Sequence, residues 1–270
     1  MKSNYLVLIL TWVLLTLGAC AQATLGPSKS TGTTTNKVIN HSNYNPADIF
    51  DSLITQAANL DGYFQHASVG ENICGGLDAL ALEQGSRYKM DRTGNGVTPP
   101  TWFDTHSGLA DYSRGNPGAS EKINLFTTAI ENQVLATKVQ VATYKFCYID
   151  NPEDAQTLFN EAQAAMENLE ATYPQVAFVW WTMPIETSGN LQRQLYNNLV
   201  RSYCSTNQKW LLDIADLESH DEAGVLSKDS DGLELLVDLY SADGGHLNAL
   251  GSRKVALAWW KYLSEIALVY

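Results

Sequence analysis

The sequence is poor in several features that would give a chain away at once. Basic residues are scarce: 17 lysines and arginines stand against 29 aspartates and glutamates, for a net charge of −12. A phosphate backbone or an anionic membrane surface is therefore repelled overall, and nucleic acid is not an expected partner. Cysteine is scarce as well, with four in 270 residues. No CxxC and no mixed Cys/His ligand spacing occurs, which argues against a structural zinc site. No His-x-His or His-Glu-x-x-His pattern is present either. His66, His106 and His246 with Asp150 are the groups that could be gathered around an ion, but isolated histidines near a core are more often hydrogen-bonded structural residues, and no metal or other cofactor is expected. There is no internal repeat and no apolar run of the roughly 20 residues that a membrane-spanning helix needs. What is present is an ordinary globular composition, 45% hydrophobic and 17% charged, at a length that suits one domain with some tethering sequence.

The strongest local signal lies at the start. Lys2 supplies a short positive region, and Tyr5 to Leu17 is an apolar run broken only by Thr11 and Thr16, the layout of an export signal. Leu17-Gly18-Ala19-Cys20 follows and resembles the bacterial lipobox, in which small residues precede a cysteine that receives a diacylglycerol. The resemblance implies a signal peptide over residues 1–19, lipidation at Cys20 and a place in the bacterial cell envelope. With Ala21 after the cysteine, the outer membrane or cell surface is the expected destination. Lipidation would leave Cys74, Cys147 and Cys204, an odd number that permits at most one internal bridge. Residues 20–44 are rich in Thr, Ser, Gly and Asn without an apolar period, and they read as a flexible tether.

A folded domain is expected over residues 45–270. Asn45-Pro46 opens a helix to about Leu60, Tyr63 to Ala67 reads as a strand, and a helix starts at Val69. Ile123, Phe126, Ile130 and Val134 recur at helical spacing, and Val139 to Ile149 is rich in β-formers. A helix with Ala155, Leu158, Phe159, Ala162, Met166 and Leu169 on one face comes next, then a strand from Val176 to Thr182. A helix over 191–203, a strand over 210–214 and a last helix over 249–267 complete the series. Strands alternating with helices of more than ten residues predict a three-layer α/β/α sandwich around a mostly parallel sheet. Residues 85–118, rich in Gly and Pro, read as one long functional loop. Each of the pairs Trp180-Trp181 and Trp259-Trp260 has one ring expected to face the core, which makes packing the expected role; Trp102 and Tyr112, in the long loop, are the expected substrate contacts.

Two short motifs carry chemistry. Ser68 falls where the first of these strands gives way to a helix, in Tyr63-Phe64-Gln65-His66-Ala67-Ser68-Val69-Gly70. Ligand sites in parallel α/β sheets collect at such junctions, although serine there is equally a helix N-cap. Far along the chain, Asp243-Gly244-Gly245-His246 precedes the final helix. A serine nucleophile needs a base to take its proton and an acid to hold the base in one tautomer. Asp-x-x-His in a tight turn can supply both, though Asp243 could also cap the helix.

Together the two motifs resemble the SGNH, or GDSL-like, hydrolase family over roughly residues 60–267. The resemblance implies a flavodoxin-like sheet, no cofactor and hydrolysis of carboxylic esters of lipids, aryl groups or acetylated sugars. It assigns Ser68 as nucleophile, His246 as general base and Asp243 as its orienting acid. The chain departs from the pattern in two places. His66-Ala67-Ser68 stands where Gly-Asp-Ser is usual, and Ile149 where an oxyanion-binding asparagine is usual. Gly115 and Asn116 are the expected donors instead, with Asn151 as rival. The expected activity is hydrolysis of an extracytoplasmic ester, such as an acetyl group on a glycan. A non-catalytic glycan- or partner-binding lipoprotein and a carbohydrate O-acyltransferase remain the other readings, and the oligomeric state is open.

Overall fold

The computed structural model describes residues 35–94, 99–132 and 134–270. The expected export signal, Cys20 and the first part of the expected tether lie outside the described residues.

Short runs of β-branched and aromatic residues alternate with amphipathic helical segments, and this alternation builds a six-stranded sheet in which every pairing is parallel. The strands are β1 (Val38–Ile39), β2 (Gly62–His66), β3 (Leu109–Ser113), β4 (Val141–Tyr144), β5 (Ala177–Trp181) and β6 (Trp210–Leu212), in the spatial order β1-β6-β5-β4-β2-β3. Without β1 this is the flavodoxin-like order, whose topological switch point falls between the first strand and its neighbours. Here that strand is β2, flanked by β3 and β4.

Side chains alternate across the strands, so each strand feeds two cores. On one face Phe64, Val179, Trp181 and Leu212 pack with helices α1 (Asp51–Ala58), α2 (Val69–Gln84) and α8 (Ala249–Ala267). On the other, Tyr63, Ala142, Phe178, Trp180 and Leu211 pack with α4 (Ala119–Asn132), α5 (Ala155–Thr172) and α6 (Leu191–Thr206). A four-residue helix α3 (Pro99–Trp102) and a short α7 (Ile214–Ser219) complete the set. The result is the three-layer α/β/α sandwich the alternation predicts. No helix among the described residues is long and apolar enough to cross a membrane.

Four expectations need correction. The folded unit begins at Thr35, because Val38 and Ile39 pair with Leu211 and Leu212 at the sheet edge; residues 35–44 are therefore part of the fold and not tether. The first helix starts at Asp51, not at Asn45-Pro46. Residues 85–118 are no single loop, since they contain α3 and the edge strand β3. Finally, all four rings of Trp180-Trp181 and Trp259-Trp260 are buried. The sheet is covered on both faces, which gives Trp180 and Trp181 a core each, and α8 is enclosed on most of its circumference.

Candidate active site

The end of β2 is where a side chain can be held above the sheet at the switch point. There the chain turns so sharply that Ser68 takes φ +54° and ψ −112°, a conformation that L-residues rarely adopt and that usually marks a functional constraint. Gly70 makes the turn possible, because a Cβ there would sit 2.4 Å from Cβ of His66. Although Ser68 occupies the N-cap position of α2, its hydroxyl caps nothing. Oγ lies 2.7 Å from Nε2 of His246.

His246 arrives from the turn that launches α8. Nδ1 is 2.7 Å from Oδ2 of Asp243, and Oδ1 of Asp243 accepts the backbone N–H groups of His246 and Gly245 at 2.8 and 3.2 Å. Those hydrogen bonds hold the Asp243 carboxyl down at about 2, so it is ionised near pH 7 and favours the Nδ1–H tautomer that leaves Nε2 free to accept the Ser68 proton. Helix capping falls to Asn248, whose Oδ1 accepts from Leu250 and Gly251. Asn72 of α2 accepts the N–H of Leu247 at 3.2 Å and ties the two segments together. The structure thus brings Ser68, His246 and Asp243 into one line.

Tyr148 belongs to the site and no motif announces it. Its hydroxyl is 3.2 Å from Nδ1 of His246, and its ring stands edge-on to the imidazole. Gly245 is required for this contact, since a Cβ at that position would come within 2.7 Å of the tyrosine ring. Arg193 fixes the other end, donating to the Tyr148 carbonyl at 2.7 Å while pairing with Glu186. Partial desolvation, then the Asp243 charge, raises the Tyr148 phenol above its usual range.

The turn proposed to bind an oxyanion also lies at this end of the sheet. The Arg114 N–H donates to the His66 carbonyl at 2.9 Å, which brings the following residues alongside the Ser68 turn. Gly115 and Gly118 have φ of +71° and +103°, values that suit glycine. Asn116 accepts from the Lys122 ammonium at 2.9 Å through Oδ1, leaving its NH₂ as the donor to present elsewhere. Lys122 in turn is buried in an ion pair with Asp150. Asn151 is exposed and lines an open cleft of about 460 Å³ together with Gly118, Ala119, Ile149, Leu158 and Glu161. Tyr112 lies beside Gln65 in the sheet register, and the Arg114 guanidinium covers its ring at 4.2 Å. Trp102 is a correction: it is buried in the core and stacked on His106, with ring centroids 5.2 Å apart, so it offers no surface to a substrate.

The histidines do not assemble with Asp150. His66 is buried under the Ser68 turn, stacked on Phe64, and burial lowers it to about 4, so it is neutral near pH 7. Among the described residues, two groups bring potential ligand atoms within 4.8 Å of each other, His66-Cys74-Asp111 and His41-Asp216-His220. The first is occupied by protein, since Asp111 accepts from Arg92, Thr93 and Gly94. In the second, the two imidazoles are stacked 3.6 Å apart and nearly parallel, which keeps one ion from lying in both ring planes. Cys74, Cys147 and Cys204 are buried and unbridged.

No protein-family model matches the chain, and no curated protein matches it. Among solved structures it is similar to a GDSL-like lipase from Bacteroides thetaiotaomicron, at 10% identity over 83% of this chain and 98% of that one, TM-score 0.47. It is also similar to a member of the lipolytic G-D-S-L family from Veillonella parvula, at 13% identity over 73% and 94%, TM-score 0.44. A third likeness is to the periplasmic domain of a lipopolysaccharide acetyltransferase from Salmonella Paratyphi A, at 11% identity over 73% and 81%, TM-score 0.43.

Proposed function

We propose that this protein is a serine hydrolase that cleaves a carboxylic ester through an acyl-serine intermediate. The observation that carries the reading is the 2.7 Å approach of Ser68 Oγ to His246 Nε2, with the other imidazole nitrogen held by an ionised Asp243. In this scheme Ser68 Oγ attacks the ester carbonyl carbon as its proton passes to Nε2 of His246. The tetrahedral intermediate then expels the alcohol, which takes that proton from the imidazolium. Water, deprotonated by the same nitrogen, attacks the acyl-serine carbonyl; the second tetrahedral intermediate expels Ser68 Oγ, which takes the proton back from the imidazolium, and the acid is released. Gly115 N–H and the Asn116 amide are assigned to the oxyanion, with Asn151 as the rival donor. Because the imidazole side chain keeps about a third of its surface exposed, 34%, water reaches the base, which favours hydrolysis over acyl transfer.

The substrate assigned is an extracytoplasmic ester, such as an acetylated glycan. The support is the Leu17-Gly18-Ala19-Cys20 sequence, which implies lipid anchoring in the cell envelope. A fluorophosphonate probe tests the chemistry: wild type is labelled, and Ser68→Ala is not. Undiminished labelling of that variant removes Ser68 from the mechanism, and a wild type that neither takes the probe nor hydrolyses any ester leaves a binding protein. Cell fractionation tests the anchor, since Cys20→Ala moves the protein out of the membrane fraction.

A further inference from the structure

The scheme above gives no work to the buried cation nearest the nucleophile. Lys145 follows β4 directly and is 1% exposed, and among the described residues its ammonium makes no ion pair. It donates instead to the carbonyls of Ala67 at 3.1 Å and Phe146 at 3.0 Å, and it lies 3.6 Å from Sγ of Cys147. Cys147 itself donates to the same Ala67 carbonyl at 3.2 Å. Two donors from the end of β4 therefore converge on one carbonyl oxygen, and that carbonyl belongs to the peptide that leads into Ser68.

A cation confined in the interior without a carboxylate in contact is unfavourable. Burial lowers the Lys145 ammonium; the neighbouring Cys147 opposes this, the charge of Lys122 adds to it, and Asp150 and Glu218 oppose it. Apolar side chains of the same length would fill the space more comfortably, so packing gives no reason for the charge. Its location gives one. The Gly70 N–H donates to the same Ala67 carbonyl at 2.9 Å from within the turn itself; the β4 donors are what tie that turn to the sheet, and without them the Ala67-Ser68 peptide would relax toward ordinary backbone angles and take the hydroxyl away from His246.

We propose that Lys145 is a positioning residue for Ser68: it pins the Ala67-Ser68 peptide in its strained bend and, as an ammonium, places positive charge behind the hydroxyl, where it favours negative charge on that oxygen. Its catalytic consequence rests on the esterase reading; its electrostatic one does not. Lys145 transfers no proton and touches no substrate.

The test replaces the nucleophile by a group whose ionisation can be read directly. In Ser68→Cys, the ultraviolet absorbance of the introduced thiolate is followed against pH, with Ser68→Ala carrying the same residue at position 145 as the blank for the other thiols, because Cys147 also contacts Lys145. Adding Lys145→Met raises the ionisation midpoint of that thiol by about one unit, the effect of losing a nearby cation. Lys145→Gln keeps a donor for Ala67 without the charge and raises the midpoint as well. An unchanged midpoint in the folded double variants overturns the proposal. Should neither fold, the lysine is observed in place: in Ser68→Cys, the Nζ resonance of Lys145 shifts as the thiol ionises, because coupling between two sites is reciprocal. A resonance that does not respond also overturns it. With Ser68 intact, Lys145→Met lowers kcat on p-nitrophenyl acetate by about tenfold or more and leaves KM nearly unchanged. If the wild type hydrolyses no ester, the esterase reading fails while the thiol titration still decides the role of Lys145.

Discussion

At the residue scale, the two ends of the Ser68-His246-Asp243 line could be found in the sequence because each sits in a recognisable local pattern: Ser68 at a strand-to-helix junction, and Asp243 and His246 in one tight turn. Tyr148 could not, since its contact with His246 crosses 98 positions and depends on a glycine that any turn might have used. Trp102 misled for a related reason: a tryptophan between prolines and glycines looks exposed until a covering strand is known. The strained backbone of Ser68 leads to the first prediction. Ser68→Gly is inactive but more stable than both wild type and Ser68→Ala, by about 1 kcal/mol, because only glycine adopts the observed φ without penalty. Chemical denaturation measures the difference, and equal stability of the glycine and alanine variants would show that the bend is unstrained. A second prediction concerns the oxyanion. Asn116→Ala lowers kcat about 10²–10³-fold with little change in KM, as for other single donors that act on developing charge. Asn151→Ala is the control, and the larger loss at Asn151 would transfer the role to the cleft.

At the element scale, Ser68 and His246 stand at the N-terminal ends of α2 and α8, so the packing of those two helices sets the distance between Oγ and Nε2. They touch closely where α2 offers only a hydrogen atom: a Cβ at Gly76 would lie 2.4 Å from the carbonyl oxygen of Ser252 and 3.1 Å from Cβ of Ala256. Gly76→Val should therefore wedge the helices apart, lowering stability by about 1–3 kcal/mol as overpacking does, and slowing probe labelling of Ser68 although the substitution lies two helical turns away. Unaltered labelling in a destabilised variant would show that the Ser68-His246 distance is set elsewhere. Long helices and buried central strands were legible from periodicity, because burial on one or both faces imprints a pattern over many residues. The two edge strands were not. β1 has too few residues to show alternation, and β3 lies among turn-forming residues whose composition outweighs its short apolar stretch.

At the scale of the whole molecule, the N-terminal edge strand makes a further prediction. A chain beginning at Asn45 lacks β1 and the His41-Asp216 contact, a 2.6 Å pairing. It should unfold at a lower temperature than one beginning at Thr35, in a thermal melt; identical melts would return residues 35–44 to the tether. Stability also depends on pH through Glu218, which is fully buried, accepts the Ile185 N–H and is pushed up to about 8 by burial. The folded state thus holds a proton that the unfolded chain releases at lower pH. The stability this provides is complete below the ordinary glutamate range and is lost as pH rises through about 8. Glu218→Gln should flatten that fall in denaturation curves taken between acidic and mildly alkaline pH, and an unchanged slope would show that the carboxyl is ionised in the folded protein. The separation of the reacting groups has a consequence for biosynthesis. Ser68 and His246 are 178 positions apart in the chain, and the contact between them closes a loop that encloses most of the sheet, a slow kind of event in folding. A ribosome therefore exposes Ser68 long before it makes His246, and a nascent or truncated chain carries the serine without its imidazole partner. On the proposed hydrolase reading, reactivity toward a serine probe should switch on late and abruptly during translation, and the order in which the chain is made then works as an interlock against premature acylation.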